Sequence, residues 1–418
     1  MPGAATGFLR DGGLPNVAGL SPRTTAMNAA LSLEPTPTLP SVQRLLQQVH
    51  PQRLVGAVVL VREHGVLRHA SATGLADRES AAPMQRDQLF RLASVSKPLL
   101  TTLILRLVAE GVLDLDVPVQ RWLPDFRPAL ADGSTPAISL RQLLSHSSGL
   151  GYRFLEADAD GPYARAGVSD GMDANPVSLA DNVLRVAQAP LLFAPGSQWM
   201  YSLGVDVAGA VAEAATGETL QALFARLLAT PLGLRDTAFA IDDAARLATP
   251  YVTDTPQPHR LQEGEVVAPF EGTVGIDYSP ARATDASRFA SAGAGLVGTA
   301  DEVMTVLEAL RDVQASGLLP AALAAQMATP QVGEQGPPEP AGWGFGLGFA
   351  VLRDAAASGT PQREGTWRWG GAYGHSWFVD PSRGLSVVAL TNTLYEGMDG
   401  AFVDELRDAV YADLEAVR

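Results

Sequence analysis

The 418-residue chain contains no cysteine and only one lysine, Lys97; its other 29 basic residues are arginine. Without cysteine there is no disulfide, no thiol nucleophile and no thiolate ligand for a metal. Basic residues are scarce against acidic ones, 30 to 45, for a net charge of −15. That balance argues against nucleic acid or an anionic membrane as the main partner. Long apolar runs are absent too. A stretch such as Leu54–Val61, LVGAVVLV, falls far short of the roughly 20 residues that span a bilayer. The N-terminus, MPGAATGFLRDGG, lacks a basic start followed by an apolar core, so no secretory signal is expected and the chain is read as cytoplasmic. The six histidines show neither His-x-His nor His-x-x-x-His spacing, which gives no indication of a metal, and no cofactor motif is found. No signal for an oligomeric state is present.

What is there begins with that single lysine. Codon bias accounts for 29 arginines but not for the one position that stayed lysine. Arginine does not lose its proton in a protein, whereas lysine can, so a site that needs a neutral amine as proton acceptor must use lysine. Lys97 lies in LFRLASVSKPLLTTLILRLVAEG, Leu89–Gly111. The apolar positions Val95, Leu99, Leu100, Leu103, Leu105, Leu107 and Val108, closed by Gly111, predict a largely buried helix starting near Ser94. Pro98 is compatible only with its first turn. On that helix Ser94 and Lys97 share a face at i and i+3, and the unpaired N–H groups of the helix start can bind a developing oxyanion.

Two further stretches complete a set. In LLFAPGSQWMYSLGVDVAGAVAEAATG a Pro-Gly turn precedes Tyr201, and a helix follows from about Gly204 to Ala215, ended by Gly217. A phenol near a lysine can share proton transfer with it; alone, Tyr201 reads sooner as a core residue. GTWRWGGAYGHSWFVDPSRGLSVVALTNT, Gly365–Thr393, predicts two antiparallel strands joined at Asp380–Gly384. Its Gly370-Gly371 pair would let a substrate approach the strand edge.

SVSK, PGSQWMYSL and WGGAYGHSWFVDP, in that order, resemble the three active-site elements of the serine β-lactamase and D,D-peptidase superfamily. The similarity is closest to its family VIII carboxylesterases, which are like class C β-lactamases, and it extends over about residues 40–415. It implies a β-lactamase-like α/β fold: an antiparallel sheet flanked by helices, plus a mostly helical region. By the same resemblance Ser94 is the acylated nucleophile, Lys97 its base and Tyr201 the proton shuttle to the leaving group. Trp369-Gly370-Gly371 takes the place of a Lys-Thr-Gly strand, and the N–H groups of Ser94 and Ala372 form the oxyanion hole. His375, four residues past Gly371, is read from its position either as bordering the substrate pocket or, equally, as structural. Two departures stand out: Leu203 where the peptidases and β-lactamases have asparagine, and Trp369 where they have lysine. Those side chains contact the amide and the carboxylate of peptides and penicillins. An uncharged ester needs neither, so the expected partner is a small-molecule ester; the alternatives are a β-lactamase or D,D-peptidase, or a non-catalytic penicillin-binding-like protein.

A rival motif is GVSDG, Gly167–Gly171, which fits the Gly-x-Ser-x-Gly elbow of α/β-hydrolases. The polar flank before it and Pro176 after it offer neither the strand nor the helix an elbow requires, so the segment is read as a surface loop. His146 is read as fixing a turn after a short helix begun near Ser139. GWGFGLGF, Gly342–Phe349, is read from its period of two as one strand with a bare face. Tyr152, Phe154, Tyr373 and Trp377 are candidate pocket aromatics, although core packing explains each singly. In organisation, residues 1–38 form an irregular lead. Residues 39–115 and 290–418 build an α/β sheet domain from both ends of the chain, and 116–289 form a mainly helical domain with loop inserts.

Overall fold

The computed structural model describes residues 38–333, 336–337 and 340–416; the lead expected over residues 1–38 falls, up to residue 37, outside them. Helix α1 (Pro40–Val49) starts on a proline, which fits the first turn. Strands β1 (Gly56–Glu63) and β2 (Val66–Asp77) form a hairpin that turns at His64-Gly65. Both turn residues have positive φ, 52° and 78°, as the twist of a two-residue hairpin demands. A short β3 (Ala82–Pro83) and the central helix α2 (Ser96–Ala109) follow.

Helix α3 (Leu140–Leu144) carries a capping box, with Ser139 bonded to the Gln142 N–H and Gln142 returning to the Ser139 N–H. Helix α4 (Gly204–Thr216) ends at Gly217, whose φ of 72° is the left-handed cap glycine favours. The span between residues 116 and 289 also holds shorter helical turns and two small ladders, Tyr251–Val252 with His259–Arg260 and Glu265–Val267 with Ile276–Tyr278. Helix α5 (Ala300–Arg311) leads to strands β4 (Trp343–Phe345), β5 (Ala350–Leu352), β6 (Trp367–Gly371), β7 (His375–Asp380) and β8 (Leu385–Thr391), then helix α6 (Ala401–Ala416).

These eight strands form one antiparallel sheet in the order β4-β5-β6-β7-β8-β1-β2-β3. Early and late parts of the chain meet where β1 pairs with β8, Ala57 opposite Thr391. The central strands are buried on both faces, because helices cover each. Val59, Val61, Val387 and Ala389 pack under α1 and α6 with Leu46, Phe402 and Leu406. Val58, Leu60, Val388 and Leu390 join the larger core around α2. Successive residues of β1 thus serve opposite cores, as the pleat requires. Helix α2 is buried nearly all round, which explains why its sequence shows an apolar run rather than one stripe.

Two expectations are corrected. Gly365–Thr393 forms three strands, because the chain reverses at Ala372-Tyr373-Gly374; Gly374 has φ of 105° and its N–H bonds Gly371 O at 2.8 Å. GWGFGLGF likewise is not one strand: it holds β4 and the turn at Gly346–Gly348, with φ of 86° at Gly348, that leads into β5. In both stretches glycine permits a turn that the alternation of side chains conceals.

Candidate active site

A single 3₁₀ turn, Ala93–Val95, leads into α2 and presents Ser94. Ala93 has φ of 45°, a conformation costly for a residue with a Cβ and one that collects at functional sites. The turn is held against its neighbours by Leu92 N–H bonding Leu296 O at 2.8 Å. Ser94 is half-buried. Lys97, on the first turn of α2, is fully buried, and its Nζ donates to Ser94 Oγ at 3.0 Å and to Gly293 O at 2.8 Å. The same nitrogen lies 4.8 Å and 5.4 Å from the ring centres of Tyr201 and Tyr152. The amine is thus enclosed by aromatic faces and two oxygens, away from water.

Tyr201 stands at the turn before α4 and donates its hydroxyl to Ser94 Oγ at 2.6 Å. Helix α4 can approach α3 because Gly204 has no side chain: a Cβ there would lie 2.3 Å from Leu143 O. Tyr152 packs on the Tyr201 ring at 5.0 Å and on Phe154 at 4.7 Å. Burial first, then the neighbouring Tyr201 and Asp206, hold the Tyr152 phenol well above its ordinary pKa. Tyr152 therefore serves as a neutral wall and hydrogen-bonding group.

The third side is the β6 edge. A Cβ at Gly371 would lie 2.5 Å from Leu92 O, so glycine is what allows the strand to meet the nucleophile's turn. No protein acceptor takes the Ala372 N–H among the described residues, and Ser94 N–H belongs to a helix start, where donors lack intrahelical partners. Trp369 is half-buried against Tyr201 at 5.4 Å and Phe345 at 5.0 Å. Gly370 pairs with Ser376 across the hairpin.

His375 takes the structural one of its two readings. It is fully buried; its Nε2–H donates to Arg91 O at 2.8 Å and its Nδ1 accepts from Thr391 N–H at 3.2 Å. Burial lowers its pKa to about 4, so the ring is neutral and both nitrogens are engaged by backbone. It ties the β7–β8 pair to the strand before Ser94 rather than bordering substrate. Tyr373 packs on Tyr278 and Trp377 on Phe349, while Leu203 is buried in the core.

The GVSDG segment is a loop but not a surface one: Ser169 is fully buried. Its Oγ donates to Asp173 at 2.6 Å, and its main chain exchanges two bonds with the Asn182 amide. Those polar partners replace water, which is how a loop with so much Gly and Asp can be interior.

Two groups of the site were not singled out from the sequence. Gly293 supplies the carbonyl to Lys97. Asp206, buried on α4, accepts from Ser291 Oγ at 2.7 Å, and its other oxygen has no hydrogen-bond partner among the described residues. Burial raises the Asp206 pKa, against the opposing pull of the Ser291 bond and Lys97. A Cβ at Gly293 would lie 2.5 Å from that free oxygen and 3.4 Å from both Lys97 Nζ and Tyr152 Oη, so all three groups converge on one small residue. Only the SAGAG run, Ser291–Gly295, marks the place, and small residues have many uses.

An open surface cleft of about 450 Å³, lined by Leu113, Asp114, Trp122 and Arg141 among others, contains none of these groups. No cluster of three or more His, Asp or Glu able to hold a metal occurs among the described residues. No described helix is long and apolar enough to cross a membrane.

The Beta-lactamase family model matches residues 42–412. Esterase EstB of Burkholderia gladioli is 51% identical over 367 residues, which cover 88% of this chain and 93% of the relative. Monacolin J acid methylbutanoyltransferase of Aspergillus terreus is 27% identical over 402 residues, 87% of this chain and 92% of that one. Among solved structures, EstCE1, described as a hydrolase with promiscuous acyltransferase activity, superimposes with a TM-score of 0.86 at 45% identity. That match covers 94% of this chain and all of the other.

Proposed function

Since the chain belongs to the Beta-lactamase family, in the group of the family VIII esterases, we propose that it is a serine carboxylesterase acting through an acyl-enzyme on Ser94. One observation carries the reading: Ser94 Oγ lies within hydrogen-bonding reach of both Lys97 Nζ, at 3.0 Å, and Tyr201 Oη, at 2.6 Å. A hydroxyl between an amine and a phenol can lose its proton to one and pass a proton on through the other.

The reaction follows from that geometry. An ester carbonyl sits between the Ser94 turn and the β6 edge. Ser94 Oγ bonds to the acyl carbon as its proton moves to Lys97. The carbonyl oxygen gains the charge and takes hydrogen bonds from the N–H groups of Ser94 and Ala372. The carbon–oxygen bond to the alcohol breaks as Tyr201 protonates the leaving oxygen, and Lys97 returns the proton to Tyr201. Water, deprotonated by the same pair, then releases the acid and restores Ser94.

Trp369 and the Tyr152–Phe154 stack offer apolar walls and no cation, which suits a neutral small-molecule ester. We place the enzyme in the cytoplasm, with no nucleic acid or membrane as partner. Acyl transfer to an alcohol is the second reading; it is favoured by the similarity to EstCE1 and the Aspergillus acyltransferase, since any hydroxyl that displaces water at the acyl-enzyme yields a new ester. The β-lactamase alternative is disfavoured by Trp369 and by Leu203, buried away from the site. Side-by-side turnover of short-chain p-nitrophenyl esters and nitrocefin tests the assignment. Ester hydrolysis should exceed nitrocefin hydrolysis by about 100-fold or more in kcat/KM, the scale of discrimination that unpaired polar groups impose; comparable rates would overturn it.

A further inference from the structure

We infer that His146 is the positioning residue for Tyr201, and that its task depends on Nδ1 as an acceptor and not on proton transfer; the inference rests on the proposed role of Tyr201. His146 follows α3 in a left-handed conformation, φ 57°. Its two acceptors reach the residues on either side of the tyrosine. Its carbonyl accepts from Met200 N–H at 2.9 Å, and its Nδ1 accepts from Ser202 N–H at 3.2 Å and from the Ser202 hydroxyl at 3.0 Å. The ring also packs edge-on against Tyr201, at 4.8 Å between centres. One residue therefore fixes Tyr201 before it, after it and across its face.

The tautomer follows from those bonds. A backbone N–H can only donate, so Nδ1 is unprotonated and the proton is on Nε2. That Nε2 is buried with no hydrogen-bond partner among the described residues, and the rings of Tyr201, Phe345 and Trp199 surround it. Burial first, and Lys97 second, hold the imidazole well below its ordinary pKa, so it stays neutral beside the amine. Among the described residues the ring's polar contacts are both with Ser202, and none is with Ser94 or Lys97. A strained backbone and an unpaired buried donor are both unfavourable, and such features persist where surrounding structure requires them. What they secure here is the direction of the phenol that lies 2.6 Å from the nucleophile.

Asparagine separates the possibilities. Its Oδ1 is as many bonds from Cα as the imidazole Nδ1, it accepts but carries no imidazole proton, and it tolerates positive φ. Glycine tolerates the same φ without an acceptor. His146→Asn should keep kcat within about tenfold of the native enzyme. His146→Gly should lower it by about 100-fold or more with KM nearly unchanged, the scale of a mis-set catalytic group. His146→Gln, which fills more of the ring's space but carries its oxygen one bond farther out, should fall with glycine, and it replaces glycine if that chain does not fold. In a Tyr201→Phe background the same changes should cost little more, because the group they aim is gone. Equal kcat for the asparagine and glycine (or glutamine) variants, or full additivity with Tyr201→Phe, would overturn the inference. Native turnover and its loss in Tyr201→Phe alone test the parent reading separately.

Discussion

Gly293 O accepts from Lys97 Nζ at 2.8 Å, across 196 residues of chain. That bond and the one to Ser94 orient the amine, and Gly293 is also where a side chain would press on Asp206, Lys97 and Tyr152 together. Gly293→Ala should therefore leave the protein folded and lower kcat/KM by about 100-fold, since a shift near 1 Å in a catalytic group costs that much. Thermal melting and steady-state kinetics on a p-nitrophenyl ester check it. An unimpaired alanine variant would show that the amine's placement is not critical.

Lys97 has no room for a guanidinium: it is fully buried between Ser94 Oγ, Gly293 O and two aromatic rings. Lys97→Arg keeps a basic side chain but one that cannot give up its proton, so it removes the proton acceptor, and Lys97→Met keeps the length while removing the nitrogen. Both should lose about 10³-fold or more in kcat, within the range for a general base. Activity retained by the arginine variant would refute the assignment.

Much of this was legible in the chain. A unique lysine three residues after a serine, with proline in the next position, marked the helix start and a pair that the fold holds in hydrogen-bond contact. Gly217 ended its helix as expected. What stayed hidden depends on distant parts of the chain. Asp206 lies five residues past Tyr201 yet becomes part of the site only when Ser291–Gly293 folds over it. His375 resembled a pocket residue because it follows the glycine pair, but the turn at Gly374 sends its ring inward to the backbone of Arg91 and Thr391. Ala93 gave no hint of its positive φ, since alanine is a poor choice for it by propensity; tertiary packing overrides that preference.

Ser169 tests the rival motif. Its hydroxyl is sequestered by Asp173 and accepts from Gly171 N–H, so Ser169→Ala should leave kcat within about twofold of native. It should cost about 1–3 kcal/mol of stability, the penalty for leaving a buried polar partner unpaired. Chemical denaturation beside the ester assay separates the two effects; a collapse of kcat in a folded variant would revive the elbow.

Asp170, buried next to Ser169, carries both oxygens against the N–H groups of Arg153 and Phe154 at 3.0 Å, at the root of the Tyr152–Phe154 wall. Burial raises its pKa to about 7, aided by Asp173 and opposed by the two N–H bonds and Arg153. The native state therefore holds a proton that the unfolded chain, with an ordinary aspartate, releases near pH 4. Stability from this group is complete below about pH 4 and declines as pH rises through about 7, a change of roughly 4 kcal/mol by linkage. Asp170→Asn removes the titration. The native protein's unfolding free energy minus the variant's should fall from pH 4 to 8 and then level; a difference that grows over that range would mean the carboxylate is ionised when folded.

The most direct test is to trap the acylated residue. The enzyme is incubated with a fluorophosphonate, or with a slowly hydrolysed ester and acid quench, then digested and sequenced by mass spectrometry. The account predicts a single stoichiometric adduct on Ser94, formed in step with loss of esterase activity and absent from Tyr201→Phe over the same interval. An adduct on Ser169, or full turnover with Ser94 unmodified, would contradict it.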